Sequence, residues 1–92
     1  MVQCEINVFC ESEYVMTLGG GMVEVCKFAK LVDEGIDGVI SVEKSFACNR
    51  DVVINGEKLI EFINDRYSKY SDKVEGLISK EKIYKIVSYD MS

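Results

Sequence analysis

The sequence predicts a small α+β domain, with an antiparallel or mixed sheet and two helices on one face of it. Three observations carry that expectation. The first ten residues alternate with a period of two, two later stretches have apolar residues at helical spacing, and short β-branched runs lie between and after them. Ninety-two residues form one domain over 1–92, and the 48% of hydrophobic residues is enough to build a core.

Val2, Cys4, Ile6, Val8 and Cys10 alternate with Gln3, Glu5, Asn7, Phe9 and Glu11, the pattern of a strand with one apolar face. Glu11-Ser12-Glu13 is a polar break, after which Tyr14–Leu18 resumes strand chemistry, so residues 2–10 and 14–18 form a hairpin. Gly19-Gly20-Gly21 leads either into another strand over 22–28 or into a helix from Met22 to Glu34, and the helix is preferred. Met22, Val25, Cys26, Ala29 and Val32 then share a face, and Gly35 suits a left-handed cap.

Asp37-Gly38 makes a turn before a strand at Val39–Val42. Residues 45–48 and 51–54 read as one more strand, bulged around Asn49-Arg50. Asn55 is the N-cap of a second helix, whose apolar residues Leu59, Ile60, Phe62, Ile63, Tyr67 and Tyr70 recur at three and four. Ile60, Ile63, Tyr67, Tyr70, Val74 and Leu77 also fit a coiled-coil seam, which leaves room for a homodimer. Asp72-Lys-Val-Glu75 matches a capping box, which would break the helix near Ser71 and restart it. Lys82–Asp90 closes the chain as a strand.

This order is the split βαβ pattern of ferredoxin-like domains with an extra N-terminal hairpin strand. The stretch from Gly21 to Lys44 resembles ACT regulatory domains, where a glycine opens the first helix and a β-turn-β follows. That resemblance implies a dimeric sensor with a small ligand beside Gly19–Gly21. The element order is also similar to that of HPr-type phosphocarriers, but their activity needs a histidine and this chain has none.

The chemistry is sparse. Without histidine there is no Ser-His or Cys-His pair, and a zinc site would need all of Cys4, Cys10, Cys26 and Cys48, which form no CxxC knuckle. These cysteines read as buried free thiols. Glu24 breaks the GxGxxG pattern after the glycines, and Gly35 and Lys44 stand where a calcium loop starting at Asp33 needs oxygen ligands. No catalytic residue, metal or cofactor is expected, and the chain reads as non-enzymatic. It has no run of about 18 apolar residues and no signal-peptide pattern, so it reads as cytoplasmic, with no membrane contact.

Charge is uneven. Met1–Phe46 carries three basic and eight acidic residues, a net of −5, whereas Ala47–Ser92 carries eight of each. An acidic half disfavours direct nucleic-acid binding and suits a protein partner with a basic surface. The candidate partner-binding residues are Glu11, Glu13, Glu24, Asp33, Glu34, Asp37, Tyr67 and Tyr70. The expected function is therefore regulation or inhibition of a larger protein. One version is an inhibitor of nucleic-acid-handling machinery of the kind that mobile elements encode. The alternative is the ACT-like sensor.

Overall fold

A computed structural model describes residues 4–20, 22–44 and 50–90. Its strands are β1 (Cys4–Cys10), β2 (Glu13–Gly20), β3 (Val39–Lys44), β4 (Arg50–Asn55) and β5 (Ile83–Asp90). They form one five-stranded sheet in the order β2-β1-β5-β4-β3, and every described pair is antiparallel. The helices are α1 (Met22–Glu34), α2 (Gly56–Arg66) and α3 (Ser71–Leu77), with a 3₁₀ turn at Ser68–Tyr70. The expected sequence of elements is present, extra hairpin strand included. In the sheet the last strand, β5, takes the central position between β1 and β4.

The hairpin joining β1 and β2 turns on Glu11 and Ser12, both at positive φ (52° and 68°). That conformation matches the twist of the flanking strands, and most side chains resist it. The left-handed cap of α1 is where the sequence puts it: Gly35 has φ 92°, and its N–H bonds to the carbonyl of Val32 at 3.1 Å. Asn55 caps α2, its side-chain oxygen accepting from the Lys58 amide at 2.9 Å.

Register places Val8, Ile86 and Val52 in one row, with Met16 beyond Val8. These side chains share one face with Ile6, Leu18, Ile54 and Tyr84, and α1 and α2 cover that face. Val25 and Phe28 come from α1, and Leu59, Phe62 and Ile63 from α2. On α1 the buried face is rotated from the expected one. Phe28 is fully buried and Cys26 is exposed, because the larger ring takes the position over the sheet. Cys10 is half-buried, and neither it nor Cys26 forms a disulfide among the described residues. The expected strand at residues 45–48, Gly21, and the side chains of Cys4 and Cys48 lie outside the described residues.

The continuous helical seam is replaced by a break. α2 ends at Arg66, and Tyr67 (φ −131°, ψ 50°) leaves the helix so that its ring can pack on Phe62, centroids 5.6 Å apart. Its amide still bonds to the Ile63 carbonyl at 2.8 Å, closing the last turn. α3 restarts at Ser71, where the sequence allowed for it. Its cap position is Tyr70 with no side-chain bond, so Asp72 sits inside the helix and the capping box is not used.

Candidate functional site

α1 runs from the Gly20 end of β2 back to the start of β3, and α2 leaves the far end of β4. Val39 pairs with Ile54, so the C-terminus of α1 and the N-terminus of α2 meet at one end of the molecule. There Lys58 Nζ lies 2.9 Å from Asp37 and 3.4 Å from Glu61. The hydrogen bond from Lys58, and then its charge, hold the Asp37 carboxyl below the usual range; the same bonds raise the Lys58 ammonium above its own.

Between the two helices runs a trough made of two adjoining cavities. The first, about 380 Å³, has Leu31, Ile36 and Phe62 as its apolar lining, with Glu34, Asp37, Glu61 and Asp65 around them. Among the described residues Lys58 and Arg66 are its only cations, and both are paired with carboxylates. The second cavity, about 540 Å³, reverses the balance: Lys27, Lys30, Arg66 and Lys69 line it, against Glu24 and Glu34. Leu31, Glu34 and Arg66 line both, so the two are continuous.

Tyr67 lies under the second cavity. Its ring is buried, and burial, followed by the negative charge of Glu24 and then by Tyr70, pushes its hydroxyl up to about 12. It stays protonated throughout the physiological range.

The structure brings four of the eight sequence-nominated residues together in this trough: Glu24, Glu34, Asp37 and Tyr67. Glu11 and Glu13 stand apart at the hairpin tip, beside a cavity of about 150 Å³ that shares no residue with the trough. Asp33 points to the sheet, where Arg50 Nη2 lies 3.4 Å from it and ties α1 to β4. Arg50 is a buried cation, and its role was invisible in the sequence. Tyr70 is also committed internally, its hydroxyl accepting the Gly19 amide at 2.8 Å. That bond takes up one backbone donor, the Gly19 amide, which would otherwise be free to meet an anion.

Sequence reasoning missed Glu61 and Asp65, yet a signal was present. Glu57, Glu61 and Asp65 are spaced by four, which places them on one helix face. The cations of the second cavity come from two elements distant in sequence, and no local pattern joins them.

Among the described residues no group of three or more His, Cys, Asp or Glu is placed to hold a metal ion, and no helix is long and apolar enough to cross a membrane. The arrangement can hold a charged, partly apolar segment by burying its aliphatic part and pairing its ends. Compared with models of known protein families, with curated proteins and with solved structures, the chain has no significant match.

Proposed function

We propose that this protein is a non-enzymatic binding domain, which docks a basic segment of a larger protein in the α1–α2 trough and so regulates or inhibits it. The observation that supports this most is the first cavity, where four carboxylates outnumber two cations around an apolar floor. A lysine or arginine side chain suits such a site, since its methylene stem needs apolar surface and its head needs a carboxylate. Glu34 is the residue best placed to receive it: it is exposed and forms no ion pair among the described residues. One version of this reading has a partner from nucleic-acid-handling machinery, which must carry such basic segments to hold phosphates.

Affinity capture from producing cells tests this, run at salt of about 0.05 M and about 0.5 M to vary screening. The expected result is a stoichiometric complex with a basic protein at low salt, largely lost at high salt. A Glu34→Lys, Asp65→Lys variant should recover it at least about tenfold less well. No basic partner, or equal recovery by wild type and variant, would overturn the proposal.

A further inference from the structure

We infer that the occupant of the trough is an α-helical segment with carboxylates toward its N-terminus and cations toward its C-terminus, lying parallel to α1. This rests on the binding role proposed for the same trough and specifies what fills it.

Charge along the trough changes sign. Glu34, Asp37, Glu61 and Asp65 outnumber Lys58 and Arg66 at the end where α1 finishes, while Lys27, Lys30, Arg66 and Lys69 outnumber Glu24 and Glu34 at the end nearer its start. A uniformly basic segment long enough to fill both cavities would bring its own cations against that second group. Like charges so placed act against the wrong occupant. A uniformly acidic one would meet the same penalty at the other end. Only a segment whose charge also changes sign satisfies both.

Conformation follows from the walls. Both are helices, whose backbone groups are bonded within themselves, so an extended peptide would lie in the trough with its own amides and carbonyls unanswered. A helix bonds its own backbone and presents side chains alone. Leu31, Ile36 and Phe62 provide the apolar strip it would bury. Thirteen residues of α1 span roughly 20 Å at 1.5 Å per residue, which sets the occupant at about four turns.

Orientation follows from the helix dipole. Carboxylates are favoured near a helix N-terminus and cations near its C-terminus. A segment that obeys this preference puts its N-terminus at the Lys27–Lys30 end, where α1 itself begins.

Synthetic peptides of about fourteen residues, with leucines along one face, provide the test. One carries glutamates in its first half and lysines in its second, one only lysines, one only glutamates; tripolyphosphate is the small-anion control. Titration calorimetry with the full chain should show the two-signed peptide binding at least about tenfold more tightly than the others. A Lys30→Glu, Lys69→Glu variant should transfer that preference to the all-lysine peptide, with its circular dichroism unchanged because both positions are exposed.

If the all-lysine peptide binds wild type as well as the two-signed one, the inference falls and the proposed basic partner stands. Tightest binding of the all-glutamate peptide or of tripolyphosphate overturns both and leaves an anion site at the second cavity. If no peptide binds, the inference falls, and the capture experiment alone decides the proposed function.

Discussion

The two faces of the sheet differ more than the two halves of the sequence. On the covered face, Ile6, Val8, Met16, Val52, Ile54 and Ile86 are all buried under α1 and α2. Among the described residues no helix lies on the opposite face, and its residues split into two groups. Toward the β2 edge runs a hydrogen-bonded chain: Asn7 donates to Glu5 at 3.1 Å and accepts from Thr17 at 2.6 Å, and Tyr14 bonds to Thr17 at 2.7 Å. Toward β4, Phe9, Val53, Ile83 and Val87 surround Lys85, whose ammonium lies 3.6 Å from Asp51. Apolar residues on both faces thus have different tasks. One set excludes water, and the other lies against it with a cation in the middle.

The sharpest way to break this comparison uses one strand and one residue type. Ile86 and Ile83 both belong to β5, at 1% and 51% exposure. Ile86→Ala removes buried contacts to Val8 and Val52 and should cost about 3 kcal/mol, within the usual span for such truncations. Ile83→Ala should cost less than about 1 kcal/mol, as exposed positions do. Urea unfolding with unchanged m-values reads both directly. Equal losses would mean that the open face is covered in solution.

Next is Gly56, the first residue of α2, which sits where the chain passes under the α3–β5 connection. Its amide donates to the Lys82 carbonyl at 2.7 Å, and a Cβ there would collide with the carbonyl oxygen of Ser79 and meet the Tyr84 ring at 3.1 Å. Gly56→Ala should therefore destabilise by about 1–3 kcal/mol, even though alanine is the better helix former. Gly76 in α3 has nothing within 4 Å of such a Cβ. Gly76→Ala should raise the melting temperature, gaining about 0.5–1 kcal/mol of helix propensity. Opposite signs for the same substitution separate close packing from propensity.

Tyr67 joins the covered face to the trough, and its titration is a third test. Its hydroxyl ionises near 10 when unfolded and at about 12 when folded. Between those values the unfolded chain loses a proton that the folded chain keeps, so stability falls as pH rises from 10 to 12. The loss should approach about 2 kcal/mol by linkage and be absent in Tyr67→Phe. Chemical denaturation at pH 9.5 and pH 11.5 measures it. A slope that persists in the variant would assign the effect to another group.

What the sequence revealed follows from the range of the interactions involved. The limits of α1 were legible because a helix stripe and its glycine cap are local; so was Asn55, whose capping bond reaches only three residues along the chain. The exchange of Cys26 for Phe28 on the buried face was not, since Val25 and Ala29 fit a stripe that widens toward either of them and the ring's size decides which side is covered. Tyr67 continues the three–four spacing of α2, yet it leaves the helix with its ring against Phe62, a contact the spacing does not reveal. The trough is least legible. Glu34 and Asp37 were nominated from the acidic half, but Glu61, Asp65 and the four cations acquire meaning only when α2 lies beside α1.

The smallest expected change in stability is the one that tests the open face itself. Lys85 stands opposite Phe9 on one side and Val53 on the other, with Val87 and Ile83 two residues away along its own strand. Lys85→Leu would join these into one apolar patch and leave Asp51 without its partner. The net effect on unfolding should stay within about 0.5 kcal/mol, because an exposed ion pair contributes little and leucine suits a strand face. Association is where the change should register. An ammonium in the centre of an apolar sheet face opposes stacking by another sheet, since stacking would strip it of water. Sedimentation velocity over a hundredfold range of concentration, about the span that resolves weak dimers, should show the variant self-associating more strongly than wild type. If the two sediment alike, Lys85 does not guard this face, and the contrast between the two sides of the sheet rests on burial alone.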